Sequence, residues 1–171
     1  MPPFSQLELD IISALDDLAA RWRSNDRRPG IGFDWTADWK MALHNAAGGR
    51  YEVRASSYPA CRQGCGEWLW DMTWLRRAAN GELSEIVLAC EAEWDTQKFE
   101  IDKDFQKLLA ARASIRLMIF EKETPALLRA GMEDLRNQAT TFGLAAHGDR
   151  YVLSGLDLQS FHFTHDLVVV S

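Results

Sequence analysis

Two neighbouring segments decide the fold: residues 67–75 (EWLWDMTWL) and residues 84–94 (SEIVLACEAEW). In both, large apolar side chains recur at every second position, which is the pattern of a β-strand. The dipeptide Asn80-Gly81 between them is typical of a hairpin turn. We therefore predict an antiparallel hairpin in which Asp71 and Glu91 share one face and Trp70 lies on the other.

The flanking sequence predicts helices on both sides of this hairpin. Ser5 and Glu8 form a capping-box pattern at the start of an amphipathic helix over residues 5–23. Other patterns predict helices over 34–47, 102–113 and 124–142, and strands over 51–58, 115–121, 150–156 and 161–170. This order predicts one α/β domain over residues 1–171, with a mixed central sheet flanked by helices, extra N-terminal helices and a C-terminal hairpin.

The composition excludes several classes of protein. Of the 171 residues, 47% are hydrophobic and 26% are charged, which excludes a disordered or collagen-like chain. The net charge of −6 argues against a protein that coats nucleic acid, since such proteins neutralise many phosphates with basic residues. The apolar runs are too short to cross a bilayer, and the N-terminus lacks the pattern of a secretory signal, so we expect a cytoplasmic protein with no membrane partner.

Three carboxylates stand out against this background. Asp71 lies within a run of tryptophans, and Glu91 and Glu93 end an apolar strand. Burying an ionised carboxylate is costly unless it is paired or binds a cation. If the numbers of paired residues add up to 160, Asp71 lies opposite Ala89 and is a diagonal neighbour of Glu91, with backbones about 7–8 Å apart. Two carboxylates in that arrangement can bind one Mg²⁺ ion.

Asp71 lies on one predicted strand, Glu91-Ala92-Glu93 lie at the end of the next, and a helix follows. This arrangement resembles the core of the PD-(D/E)XK, or restriction-endonuclease-like, nuclease superfamily. The resemblance covers roughly residues 50–125 and implies a metal-dependent hydrolase that cleaves phosphodiester bonds in DNA or RNA. It implies Asp71 and Glu91 as ligands of Mg²⁺ or Mn²⁺, with the Ala92 carbonyl completing the site.

The chain departs from that family where a lysine is usual, because Glu93 occupies the position. Either Glu93 takes part directly, as a further metal ligand or in orienting water, or a lysine from the following helix replaces the missing one. Lys107 is the candidate for the second route. Its place on the predicted helix turns it away from the apolar face of Phe105 and Leu108, which favours Glu93.

Alternatives remain open beside the nuclease hypothesis. The acidic balance and the missing lysine favour a non-catalytic protein-interaction module on the same fold, with a protein partner or a second copy of the chain. Asp71 and Glu91 are also compatible with ordinary solvent-facing acids. The tryptophans are more typical of core packing than of a platform for nucleobases. An enzyme acting on small molecules with another α/β fold is the least favoured alternative, because the sequence has no cofactor motif.

Overall fold

A computed structural model describes residues 3–24, 35–61 and 66–171 of the chain, and it confirms the predicted α/β class. Four helices flank a six-stranded mixed sheet. The helices are α1 (Gln6–Ser24), α2 (Trp35–Ala47), α3 (Lys98–Leu109) and α4 (Pro125–Thr141). The strands are β1 (Glu52–Ala55), β2 (Met72–Arg77), β3 (Leu83–Glu93), β4 (Ile115–Lys122), β5 (Arg150–Asp157) and β6 (His162–Val169).

The strands lie in the sheet in their order along the chain. β1, β2 and β3 are antiparallel neighbours, β3, β4 and β5 are parallel, and β6 returns antiparallel to β5. Parallel neighbours require a crossover, which α3 supplies between β3 and β4 and α4 between β4 and β5. The carboxyl end of β3 therefore meets the start of α3 at one edge of the sheet.

The two faces of the sheet have separate cores. Side chains of α1 and α2 pack on one face, where Trp39 and Trp74 are fully buried. Side chains of α3 and α4 pack on the other, around Phe105, Phe120 and Tyr151. Cys90 belongs to the first face and Ala89 to the second, so alternation along β3 places Glu91 beneath α3.

The β2–β3 hairpin forms, but near Glu91 its register differs from the predicted one. The paired numbers add up to 160 where Arg77 faces Leu83, but to 162 where Thr73 faces Ala89. Two irregularities, after Trp74 and after Arg76, each shift the pairing by one residue. Each bulge reverses which face a strand presents, and the second reversal cancels the first. Thr73 and Glu91 consequently lie on the same face.

The prediction for Trp70 was wrong. β2 begins at Met72, so residues 67–71 do not alternate as a strand, and Trp70 packs beneath α3 with Ala89 and Phe105. Trp68, another tryptophan of the segment 67–75, is 43% exposed. Asp71 occupies the bend immediately before the strand.

Other predicted elements differ mainly in their limits. α3 begins at Lys98, four residues before the predicted start, and β1 covers four residues of the predicted 51–58. Asp34, the predicted first residue of the second helix, lies outside the described residues. The capping box is confirmed, since the Ser5 N–H donates to Glu8 Oε2 at 2.6 Å and the Glu8 N–H donates to Ser5 Oγ at 3.3 Å. No helix in the described part of the chain is long and apolar enough to span a membrane.

Candidate active site

Charged side chains from three elements converge where β3 ends. Asp71 precedes β2, Glu91 and Glu93 end β3, and Asp104 and Lys107 project from α3. Burial at this edge of the sheet raises the pKa of each of the first three carboxyls. The sequence-predicted residues therefore lie in one neighbourhood, and the contacts distinguish their roles.

Asp71 is fixed by the backbone of the neighbouring strand. Its Oδ2 accepts a hydrogen bond of 2.9 Å from the Ala92 N–H. Burial raises the pKa of Asp71, and the charges of Glu67 and Asp104 raise it further. The Ala92 N–H and the Lys40 ammonium lower it. β3 therefore orients this carboxylate, and a bound cation would offset the repulsion from the neighbouring negative charges.

Glu91 is the most deeply buried acid of the group, at 1% exposed. Its Oε2 lies 3.3 Å from Lys107 Nζ, whereas its Oε1 is buried without a hydrogen-bond partner among the described residues. Burial, and then the charge of Asp71, raise the pKa of Glu91 to about 8, although Lys107 opposes the rise. An unpartnered buried carboxylate oxygen is costly, and a divalent cation is the kind of group that would satisfy it.

Lys107 points into the site, contrary to the prediction from helical spacing. Its Nζ lies 2.8 Å from Asp104 Oδ1 as well as near Glu91. Burial opposes the charge, but the hydrogen bond to Asp104 and the attraction of Glu91 raise the pKa of Lys107. The side chain is still 46% exposed, because its flexible stem carries the ammonium from the outer side of α3 back to the sheet.

Glu93 faces the same side of the sheet as Glu91 but contacts Asp95 and Asp104 rather than Lys107. Its Oε1 accepts a hydrogen bond of 2.8 Å from the Asp95 N–H. Burial and a hydrogen bond with Asp104 raise its pKa. Glu93 therefore lies close to Asp104, which in turn contacts Lys107.

Three further residues belong to this site that the sequence reasoning did not assign to it. Asp104 is buried and contacts both Lys107 and Glu93, and its spacing of three from Lys107 on one helix was a visible signal. Lys40 and Glu67 form an ion pair of 3.0 Å beside Asp71. No sequence signal connects these two, because α2 and the segment before β2 are brought together only by the fold.

The residues that could hold a metal ion at this site are two carboxylates, Asp71 and Glu91. Within residues 3–24, 35–61 and 66–171, no three or more His, Cys, Asp or Glu side chains are grouped so that they could hold a metal ion. Mg²⁺ commonly takes one or two carboxylates and keeps several of its waters. Asp71 and Glu91 are the residues here that could hold a metal in that way, since Glu91 Oε1 has no hydrogen-bond partner among the described residues.

Comparisons with protein-family models, with curated proteins and with solved structures found no match to this chain.

Proposed function

We propose that this protein is a metal-dependent nuclease-like hydrolase that cleaves phosphodiester bonds. The observation that carries the proposal is the contact of Lys107 Nζ with the buried Glu91, 3.3 Å from Oε2, while Oε1 has no partner among the described residues. A lysine beside a buried acid that has one unpartnered oxygen is a constellation suited to phosphoryl chemistry.

The order of the strands supports the resemblance to the PD-(D/E)XK superfamily. Three antiparallel strands are followed by a helix and a strand parallel to the third. Glu91 lies near the end of the third strand, as the resemblance implies, whereas Asp71 lies immediately before the second strand rather than on it.

Asp71 and Glu91 would hold Mg²⁺ or Mn²⁺, which would supply a polarised water and stabilise charge on the phosphate oxygens. Asp71 is held in position by the Ala92 N–H. Lys107 is held by Asp104 beside Glu91, where its ammonium could bind a phosphate oxygen or orient a water. Of the two candidates for the missing lysine's role, these contacts favour Lys107 over Glu93.

Thermal melts and cleavage assays with Mg²⁺ or Mn²⁺ test this proposal on plasmid DNA, single-stranded DNA and RNA. Mn²⁺ should raise the melting temperature of the wild type, because an ion that binds only the folded state stabilises it. Asp71→Asn should lose both that rise and cleavage. Lys107→Met should lose most of the cleavage and keep the rise, whereas Glu93→Gln should be milder.

Lys103→Met is the matched control, since Lys103 is an exposed lysine of the same helix and pairs with Glu100 at 2.8 Å. It should behave as wild type. The nuclease proposal is wrong if millimolar Mn²⁺ leaves the wild-type melting curve unchanged and no substrate is cleaved. That result would favour the non-catalytic interaction module. The ion pairs of Lys40 with Glu67 and of Lys107 with Asp104 are also compatible with that function.

A further inference from the structure

Lys40 is a buried lysine that reaches the edge of the candidate site from the opposite face of the sheet. It lies on α2 and is 2% exposed. Its Nζ donates to the Ser56 carbonyl at 3.1 Å and to Glu67 Oε1 at 3.0 Å. Burying an ammonium is costly unless it is paired and hydrogen-bonded, and here it is both.

Glu67 is held through one oxygen. The Ser56 hydroxyl donates to the same Oε1 at 2.6 Å, and no described residue donates to Oε2. The side chain is partly exposed, so without these donors it would be free to move into solvent. Two donors fix the direction of this carboxylate and leave its second oxygen for another partner.

Glu67 lies within the electrostatic field of the site. After burial, its negative charge is among the causes that raise the pKa of Asp71, and its own carboxyl is attracted by Lys107. Glu91 Oε1, buried and without a hydrogen-bond partner among the described residues, independently points to a positive ion at this place. A third carboxylate fixed beside such a place adds to its attraction for a positive ion.

We propose that Lys40 is a positioning residue of the cation site, holding Glu67 so that its Oε2 accepts hydrogen bonds from the water shell of an ion bound by Asp71 and Glu91. This inference rests on the proposed function. It agrees with the absence of a three-ligand group in the described part of the chain, because Glu67 would act through water. Hydrogen-bonded groups outside the ligands typically change metal affinity by about 10–100-fold.

The charge of Lys40 and its positioning role predict opposite results for Lys40→Met. As a charge alone, Lys40 repels a cation, so its removal would tighten Mn²⁺ binding. As a positioning residue it acts through Glu67, so its removal would weaken binding. A double-mutant cycle with Glu67→Gln separates the two roles, because a residue that acts through Glu67 has no weakening effect once Glu67 is neutral.

The experiment is titration of the full chain with Mn²⁺ at fixed pH and ionic strength, following free Mn²⁺ by electron paramagnetic resonance. Glu67→Gln and Lys40→Met should each weaken binding by about tenfold or more, and the double variant should bind no more weakly than Glu67→Gln. Lys40→Arg and Ser56→Ala should weaken it less. Glu85→Gln, an equal change of charge at the other end of β3, should bind as wild type.

Circular dichroism verifies that each variant is folded, and Glu67→Gln and Ser56→Ala test the idea if Lys40→Met does not fold. Wild-type affinity in Glu67→Gln, together with loss of binding in Asp71→Asn, would overturn this inference and leave the proposed function intact. Tighter binding by Lys40→Met would overturn the positioning role. Absence of Mn²⁺ binding in the wild type would instead overturn the proposed function, and this inference with it.

Discussion

At the scale of single residues, Glu91 combines deep burial with an unfinished set of hydrogen bonds. One oxygen contacts Lys107 and the other has no partner among the described residues. A side chain chosen for stability alone would be apolar here, because a half-satisfied buried charge is less favourable than a well-packed hydrophobic residue. Glu91 therefore costs the fold stability, and that cost should be measurable.

We expect Glu91→Gln to be more stable than the wild type at pH 8 in the presence of EDTA, by at most a few kcal/mol. Because burial and Asp71 raise the pKa of Glu91 from 4.5 to about 8, the folded protein keeps a proton that the unfolded chain has lost between these pH values. Stability contributed by this group is present below pH 4.5 and is lost as the pH rises through about 8. Glutamine does not ionise, so Glu91→Gln should not show this loss of stability.

Urea unfolding at pH 5, 6.5 and 8 measures the difference, with Glu85→Gln as the control at an exposed ion pair. Equal pH dependence in wild type and Glu91→Gln would contradict the expectation.

The sequence identified Asp71, Glu91 and Glu93 because acids in apolar strands conflict with the cost of burying charge. It misjudged Lys107, since helical periodicity gives the direction of the Cα–Cβ bond and not the reach of a four-carbon stem. Asp104 is the reason that the stem turns inward. The part of the site contributed by Lys40 depends on long-range packing, which no local pattern encodes.

At the scale of elements, strand alternation predicted the β2–β3 hairpin but not its two bulges. The turn at Gly81 (φ 83°) sets the pairing at one end, as its position beside Asn80 indicates. The bulges then move the pairing by two residues, so that at Thr73 the face was predicted correctly and the partner was not. Between the bulges, where Leu75 pairs with Ile86, the predicted face was wrong as well. The residues before Met72 do not belong to the strand in the structure, so alternation gave the wrong face for Trp70.

Gly155 of β5 lies where α4 packs closely on the sheet. A Cβ at this position would lie 2.3 Å from Leu128 Cδ1 of α4, and Leu128 is itself buried. Gly155→Ala should therefore destabilise the protein by about 1–3 kcal/mol, the usual cost of overpacking a core.

Combining Gly155→Ala with Leu128→Ala tests the cause. Leu128→Ala alone should cost about 2–5 kcal/mol, and the double variant should cost clearly less than the two single costs together, because each change makes room for the other. Additive costs, measured by chemical denaturation, would show that the two residues do not compete for space.

At the scale of the whole molecule, an ion pair of the buried Glu8 joins α1 to β5, a strand near the other end of the described chain. Arg150 donates through Nε to Glu8 Oε1 at 2.8 Å and through Nη2 to Glu8 Oε2 at 2.7 Å. Glu8 is fully buried and also caps its own helix through Ser5. One carboxylate thus secures both the start of the first helix and its attachment to β5.

We expect Arg150→Met to destabilise the protein by about 3–5 kcal/mol at pH 7, because it leaves Glu8 buried without its counter-charge. Burial alone would raise the pKa of Glu8, but the hydrogen bonds from Arg150 and Ser5 outweigh it and the pKa is lowered. The stability from this pair is therefore present above the ordinary pKa of 4.5 and is lost as the pH falls through the lower, folded value. The difference between Arg150→Met and the wild type should accordingly shrink in acid. Arg50→Met removes the same charge from a partly exposed pair with Asp10 at 3.3 Å and should cost no more than about 1 kcal/mol. Urea unfolding of the three proteins at pH 7 and at pH 3 decides the matter: equal losses in the two variants at pH 7 would mean that the buried pair does not hold α1 to the sheet.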